Sequence, residues 1–341
     1  MNATINPDFG QVEVDPAVVN LSDYETFYEE RRPFFVADAN SFRFGREGTN
    51  SNWNFNWTDP YLFYSRRIGR SPQVALADHE FSDVPGTTTI LGATKAVGTA
   101  GRTTFGMLGA VTDREDARLE TDGVRTSKVV EPRAAYTTAR VLSSRADGRR
   151  GIGLMAVGVW RDLAGDASRD ALASRSSVIG VDGWMRLDRK GVWALRGYAA
   201  ASNLRGSKAA IEEVQCSSRH YYQRPDVDHL DYDPDRTSLG GWTARSALNK
   251  QSGNVALNAA AGYISPGFEA NDAGYSQRSD LINVSLVPGY RWLQPNAVFR
   301  SISARSSSTW GATIASGSSP RFTATRAVRA TAEGTRAERS T

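Results

Sequence analysis

The chain has 341 residues, 40% of them hydrophobic and 23% charged, with a formal net charge of +4. This composition is too apolar for general disorder, and no run of about 18 apolar residues is present to form a membrane-spanning helix. The single cysteine, Cys216, excludes an internal disulfide and a cysteine-based metal cluster. Basic and acidic residues are mixed along the chain, which argues against a nucleic-acid-binding tract.

The first part of the chain, residues 1–86, lacks a regular strand rhythm. Its first ten residues contain no basic stretch followed by an apolar core, as an export signal would. An outer-membrane protein needs such a signal, so either the chain is not an outer-membrane barrel or it begins inside a longer protein. A weak alternation predicts a strand within 6–15. Ser22 and Glu25 form a capping box that predicts a short helix, and Pro33 is expected to end it.

The second part, residues 87–300, carries strand-like segments of about ten residues, joined alternately by tight turns and long polar loops. This alternation is typical of outer-membrane β-barrels, whose strands cross the bilayer in pairs. A soluble β-sandwich has no reason to keep that order. The predicted strands are 87–97, 103–113, 132–142, 151–162, 177–187, 192–202, 237–248, 254–264 and 278–287.

The hairpin between 177 and 202 gives the sharpest test of this interpretation. Its turn, DRKG at 188–191, favours pairing of Asp188 with Val192, so residues of equal parity share one face. The odd-numbered face is uncharged, which suits lipid. The even-numbered face carries Asp182, Trp184 and Arg196, which suits a watered lumen, although the odd face in a soluble sandwich would simply be the core.

The loop between 203 and 236 is rich in acidic residues and contains two histidines. Carboxylates at two-residue spacing are calcium ligands in many proteins, but the glycine and distal glutamate of a calcium-binding hand are absent. We therefore weigh an ordered metal site against a solvated external loop. The weak metal candidates are Asp226, Asp228, Asp231 and Asp233.

The last part, residues 301–341, is dominated by Ser, Ala, Thr and Arg and has no sustained alternation. We expect it to be a disordered or out-of-frame tail, with the closing strands of the barrel missing.

Arginines and acids in the first part are predicted to pair across the interior of the barrel. Arg66, Arg67 and Arg70 would pair with Glu25, Glu29, Glu30 or Asp38 and build an inward-folded, plug-like segment. Basic residues interleaved with aromatics also occur in single-strand nucleic-acid sites, and salt-sensitive binding would be the sign of that alternative. The predicted lumen and plug charges are Arg66, Arg67, Arg70, Glu29, Glu30, Asp182 and Arg196.

Several segments resemble an uncharacterised bacterial family of outer-membrane β-barrels. They include NPDFGQVE at 6–13, LFYSRRIGR at 62–70, ILGATK at 90–95, YDPDRTS at 232–238 and SPGFEAND at 265–272. The resemblance implies a domain of unknown function that usually lies C-terminal to a family-nine-type carbohydrate-binding module. It supplies no catalytic residues, and this chain has no segment matching the sugar-binding module.

Together these patterns predict an all-β, antiparallel up-and-down transmembrane β-barrel, incomplete, with an N-terminal plug-like segment. The predicted function is surface transport, secretion or glycan handling in the cell outer membrane, with lipid as partner, no catalytic residues and no cofactor. Glycan contact would come through the missing module, and no nucleic-acid partner is expected. The alternative is a soluble extracellular carbohydrate-binding or glycan-processing β-protein.

Overall fold

The computed structural model describes residues 2–5, 19–21, 25–45, 59–76, 79–163, 165–225, 228–292, 299–313 and 321–334, the last two ranges as strands. Its elements in chain order are β1 (Asn2–Ile5), α1 (Pro33–Val36), β2 (Phe81–Asp83), β3 (Ile90–Ala100), β4 (Thr103–Thr112), β5 (Glu115–Thr121), β6 (Val124–Glu131), β7 (Ala134–Ser144), β8 (Arg150–Arg161), α2 (Asp166–Ala171), β9 (Arg175–Arg186), β10 (Trp193–Arg205), α3 (Lys208–Cys216), β11 (Ser238–Lys250), β12 (Val255–Ile264), β13 (Leu281–Trp292), β14 (Phe299–Thr313) and β15 (Arg321–Gly334).

Twelve of the strands form one antiparallel sheet in the order β1-β3-β4-β7-β8-β9-β10-β11-β12-β13-β14-β15. Each strand from β7 onward pairs with the next one along the chain, so the all-β, up-and-down antiparallel prediction is confirmed. Over the described residues, the sheet does not close into a barrel, because no hydrogen-bonded pair joins β1 to β15.

The nine predicted strands correspond to β3, β4 and β7 to β13, with ends that differ by a few residues. The predicted long loop after Asp113 instead contains the β5–β6 hairpin, which joins β2 in a three-stranded sheet. Ala117, Leu119 and Val130 form a small core there. Three apolar positions among many charged ones were too weak a periodic signal to predict these strands.

The sequence predicts a disordered or out-of-frame tail at 301–341, whereas the structure has strand β14 at 299–313 and strand β15 at 321–334. Their backbones continue the ladder that starts at β13, and ladder hydrogen bonds do not depend on hydrophobic side chains. A stretch of Ser, Thr, Ala and Arg can therefore be a strand without a clear alternating pattern.

The short helix predicted from Ser22 is wrong over its described part, because residues 25–30 are not helical. Pro33 begins helix α1 rather than ending one. Proline is well suited to the first helical position, where its missing N–H would have had no intrahelical partner. The strand predicted within 6–15 lies outside the described residues.

The register predicted for the 177–202 hairpin is confirmed, since Arg186 faces Ala194 and Arg196 faces Trp184. The Asp188 carboxylate accepts hydrogen bonds from the backbone N–H groups of Val192 and Trp193, at 3.0 and 2.7 Å. These two bonds fix the turn, and because strand residues alternate between faces, they also fix which side chains point to each side of the sheet.

The two faces of the large sheet have opposite environments. One face, here called the covered face, packs against the chain segments 32–45, 59–70 and 264–276, and its side chains are buried. On the opposite, bare face no layer is formed by the described residues, and apolar side chains such as Ile152 (63% exposed) and Ile179 (54% exposed) lie on it. The odd-numbered face of the 177–202 hairpin is thus exposed rather than packed beneath a second layer.

From β4 to β13, the bare face is uncharged between the strand ends. Over these strands, every charged side chain on that face is at the first or last residue of its strand, and all four are basic: Arg150, Arg175, Arg205 and Lys250. Among the described residues, no helix combines the length and the apolar character needed to cross a bilayer.

The covered face makes room for aromatic side chains with glycines. A methyl group added at Gly180 would lie 2.5 Å from Phe44 Cζ and 2.7 Å from Leu62 Cδ1, so the segment packs directly on the β9 backbone. Gly241 in β11 is still tighter, since a methyl there would lie 2.1 Å from the Phe268 backbone nitrogen.

We expect Gly241→Ala to lower the stability by about 1–3 kcal/mol, because backbone atoms of the 265–280 loop must move to accept the methyl. The neighbouring Gly240→Ala is the matched control, since its added methyl would lie 3.7 Å from the nearest atom. Thermal unfolding followed by tryptophan fluorescence measures both variants. Equal melting temperatures for the two would contradict the close approach.

Candidate functional site

The interior of the molecule, between the covered face and the N-terminal segment, contains charged side chains that are almost fully buried. Arg140 on β7 and Asp182 on β9 form a two-pronged ion pair, with Nη1–Oδ1 at 2.5 Å and Nη2–Oδ2 at 2.8 Å. Each side chain is 1% exposed. The Gly45 backbone N–H donates to Asp182 Oδ2 at 2.8 Å, so the N-terminal segment completes this pair.

A second buried group of charges lies on the next strands. Asp59 accepts hydrogen bonds from Arg245 Nη1 at 2.9 Å and from the Tyr198 hydroxyl at 3.2 Å. The Arg196 guanidinium is 4.0 Å from the same carboxylate. Asp59 belongs to the N-terminal segment and the other three to β10 and β11, so segment and sheet again share one charge network.

A third contact of this kind is made by Lys95 on β3. Its ammonium donates to the backbone carbonyls of Phe34, at 2.6 Å, and Ala37, at the C-terminal end of α1. Helix α1 is too short for a large dipole, but its free carbonyls are natural acceptors for a cation. The segment is thus held to the sheet at three places by charged hydrogen bonds.

The predicted plug residues lie within the N-terminal segment, with a pairing that differs in detail. Arg67 forms a two-pronged pair with Glu25, both distances 2.7 Å, and also donates to the Gly274 carbonyl. Arg66 donates to the Glu29 backbone carbonyl, at 3.5 Å near the surface, and its guanidinium lies 5.8 Å from the centre of the Tyr28 ring.

Glu30 pairs with Arg32 rather than with the three predicted arginines. It accepts from Arg32 Nε at 2.8 Å and from the Ser65 hydroxyl at 2.5 Å. Burial raises the pKa of Glu30, but the Arg32 charge and these hydrogen bonds outweigh it, so the net pKa is below the usual range.

Sequence reasoning placed Asp182 and Arg196 correctly on one face but missed three partners. Arg140 has the even parity of the covered face in β7, so extending the hairpin argument to that strand would have found it. Asp59 and Asp272 lie in loops, where alternation gives no information. Their partners are more than 100 residues away in the chain.

The metal candidates are not brought together. Asp226 lies outside the described residues, while Asp228 and Asp231 are exposed on the loop. Asp233 accepts the Asp235 backbone N–H at 2.9 Å, as a turn-forming aspartate does. Within the described part of the chain, no group of three His, Cys, Asp or Glu side chains has the geometry to hold a metal ion.

A cavity of about 250 Å³ lies at the end of the sheet where the long loops are. We call it the loop-end cavity. The N-terminal segment, helices α2 and α3, the end of β10 and the loop after β12 all contribute to its walls. Its charged lining residues are Glu25, Arg67, Arg70, Glu213, Arg219, Glu269 and Asp272.

A buried histidine and a glutamate join two loops beside the cavity. His220 Nε2 is 2.8 Å from Glu269 Oε2, and its Nδ1 is 2.7 Å from the Pro266 carbonyl. Burial raises the pKa of Glu269, but the His220 hydrogen bond and the charge of Arg219 outweigh this and hold it well below the usual range.

The Ser279 hydroxyl lies 3.1 Å from His220 Nδ1, which brings Ser, His and Glu together. However, the Ser279 hydroxyl donates its proton to the Arg219 carbonyl at 3.0 Å, and His220 Nδ1 is hydrogen-bonded to the Pro266 carbonyl. Ser279 is also buried, at 7% exposure. The arrangement therefore does not present an activated nucleophile to a substrate.

Residues 1–337 match the family described as Domain of unknown function (DUF5916). The chain belongs to this family. The predicted resemblance to a domain of unknown function is therefore confirmed for DUF5916, whereas barrel formation and a sugar-binding neighbour stay predictions.

A solved structure of BamA from Haemophilus ducreyi lacking POTRA domains 1-3 is distantly similar to this DUF5916 chain, with 10% sequence identity and a TM-score of 0.26. The match covers 65% of this chain and 40% of that one, so this chain spans less than half the length of the BamA chain. A comparison with curated proteins finds no match.

We expect Arg140→Met to destabilise the protein by about 3–5 kcal/mol, because it leaves the Asp182 carboxylate buried without its cation. The double variant Arg140→Met/Asp182→Leu should be more stable than the single variant, since no uncompensated charge stays behind. A double-mutant cycle of unfolding free energies, completed with Asp182→Leu, measures the coupling. Additive effects of the two changes would mean that the pair is not coupled.

The lowered pKa of Glu269 predicts a loss of stability in acid. Its ionised form is favoured by folding, so the contribution is complete above about pH 4.3, the ordinary value for Glu, and declines as the pH falls toward the folded-state pKa. Melting temperatures measured from pH 7 to pH 3 should fall more steeply for the native chain than for Glu269→Gln. Parallel curves would show that Glu269 does not contribute.

Proposed function

We propose that this chain is the lipid-embedded part of an outer-membrane protein, non-catalytic, acting in surface transport, secretion or glycan handling. The observation that carries the proposal is the bare face from β4 to β13, which is apolar and uncharged between the strand ends, together with charges buried on the covered face. A soluble sheet has the opposite polarity, with its apolar side chains under cover and its polar ones in water. In a membrane barrel the lipid-facing side is apolar and the interior polar.

The positions of the charged side chains on the bare face are those that cost least free energy in contact with lipid. A charged side chain on the lipid side of a membrane strand costs about 2–4 kcal/mol at the bilayer centre and roughly 0–1 near the interfaces. The four basic side chains at strand ends are thus in the positions where a membrane tolerates them. Long basic side chains there also extend toward lipid headgroups.

Aromatic side chains on the bare face lie near both ends of the strands, as in the interfacial girdles of membrane barrels. Trp242 and Tyr263, with ring centres 4.8 Å apart, lie toward the long loops. Tyr290 and Trp292 lie at the opposite end, 4.9 Å apart. Tyr290 pairs with Val255, eight residues before Tyr263, which is roughly 27 Å along the strand and roughly 20 Å across a bilayer for a tilted strand.

Lipid contact requires that the sheet edges be paired, because hydrocarbon offers no hydrogen bonds to free backbone groups. Strands β1 and β15 are the two edges of the described sheet. We therefore propose that closure into a barrel takes place along these edges. The N-terminal segment would then fill the lumen as a plug, and movement of a transported species would require that segment to shift.

Fluorescence quenching by brominated lipid tests the orientation. In a Cys216→Ser background, a fluorophore on Val181→Cys, at the middle of the bare face, should be strongly quenched after reconstitution. The same fluorophore on Lys190→Cys, in the tight turn after β9, is the matched control and should be quenched much less. Equal, weak quenching at both positions, with full solubility in the absence of detergent, would favour a soluble extracellular carbohydrate-binding or glycan-processing protein instead.

A further inference from the structure

The loop-end cavity contains a largely buried charged group, the Arg70 guanidinium, that has no hydrogen-bonding partner within the described part of the chain. Within the described part of the chain, the Arg70 guanidinium donates no hydrogen bond, and its only ion-pair distance is 3.9 Å, to Asp272 Oδ1. Its side chain is 18% exposed, and burial lowers its pKa. A largely buried guanidinium without hydrogen bonds destabilises the fold, so we expect a ligand that accepts hydrogen bonds from it.

Several other charges of the cavity are already engaged, whereas Glu213 is exposed and Arg219, 34% exposed, has a 3.6 Å ion-pair distance to Glu269. Arg67 is bound to Glu25 and the Gly274 carbonyl, and Glu269 is bound to His220. Asp272 Oδ1 accepts from the fully buried Arg161 at 2.6 Å. These contacts hold the walls in place while leaving Arg70 available.

Beside Arg70 is an acceptor that is also unused. Asp272 Oδ2 is buried and has no hydrogen-bond partner among the described residues. A free donor next to a free acceptor matches a group that both accepts and donates, which is a hydroxyl. A simple anion fits less well, because the carboxylates of Asp272, Glu25 and Glu269 line the same cavity.

Apolar side chains form another part of the wall. Leu172, Ala173 and Leu204 are buried there, and Ala171 and Val214 are partly exposed to the cavity. A ligand with hydroxyls on one side and C–H groups on the other satisfies both kinds of surface. The volume of about 250 Å³ is just below the usual range of about 300–1,000 Å³ for ligand sites, which suits one small ring.

We propose that the loop-end cavity binds a single neutral sugar residue, with two of its hydroxyls between Arg70 and Asp272 and its C–H face on Leu172 and Leu204. The cavity is at the end of the sheet with the long loops, which is the outer side in membrane barrels. The inference rests on the proposed function, since it names the ligand class for the glycan-handling alternative. Binding itself requires only the folded loops.

Titration calorimetry of the full chain tests the proposal in a detergent without a sugar headgroup, such as lauryldimethylamine oxide. The probes are D-glucose, D-galactose, D-mannose and D-xylose, with inorganic phosphate as the anionic comparison. We expect saturable binding of at least one sugar with a Kd near the millimolar range. Arg70→Gln should weaken it about tenfold or more, because hydrogen bonds to a charged group are lost.

Two further variants separate binding from folding. Ala171→Phe should fill the cavity and abolish sugar binding without touching any ion pair, whereas Arg189→Gln, in the tight turn at the other end of the sheet, should bind as the native chain does. The melting temperature of Arg70→Gln should equal or exceed that of the native chain, since a poorly paired buried cation is removed.

The absence of saturable binding for all four sugars would overturn the proposal, as would unchanged affinity in Arg70→Gln and Ala171→Phe. Phosphate binding tighter than any sugar, weakened by added salt, would overturn it in favour of an anion site. These outcomes are distinct from failure of the proposed membrane location, which lipid quenching at Val181→Cys reports independently of any ligand.

Discussion

The buried ion pair between Arg140 and Asp182 is the constraint on which the rest of the structure depends. Two opposite charges that face each other across β8, one on β7 and one on β9, cannot be left on a dry, uncovered sheet, because each needs further hydrogen bonds to offset its lost hydration. The Gly45 N–H supplies one of them. Because that donor comes from a segment 137 residues away in the chain, the sheet reaches its final state only when the segment is in place.

The same constraint explains why the two faces differ so much. The charged side chains on the covered face have partners in the N-terminal segment. Asp59 accepts a hydrogen bond from Arg245, and carbonyls of α1 accept hydrogen bonds from Lys95. Among the described residues, no such segment lies over the bare face, and from β4 to β13 its charges are confined to strand ends. Charged side chains thus lie on the face that contacts protein, and apolar side chains lie on the face that, in our proposal, contacts hydrocarbon.

Much of the sheet could be predicted from local signals. The Asp188 turn and strict alternation set the register of β9 with β10, and the same reasoning located seven further strands. The interior partners could not be found in that way, because Asp59 and Asp272 lie in loops whose positions depend on the whole fold. β14 was missed because backbone pairing with β13 needs no apolar pattern, and the β5–β6 hairpin because its apolar core is only three residues.

In our proposal the N-terminal segment is a plug, and the interior charges then determine how it is retained and released. An apolar segment would hold a lumen closed by area alone, whereas here the segment is attached by a few directional contacts at Lys95, Asp182 and Arg245. Losing any one of them removes a hydrogen bond from a buried charge, so partial withdrawal is costly. Complete withdrawal lets water reach every charge at once and removes that cost. Such a segment is therefore expected to have two stable positions, fully docked or fully out, with few intermediates between them.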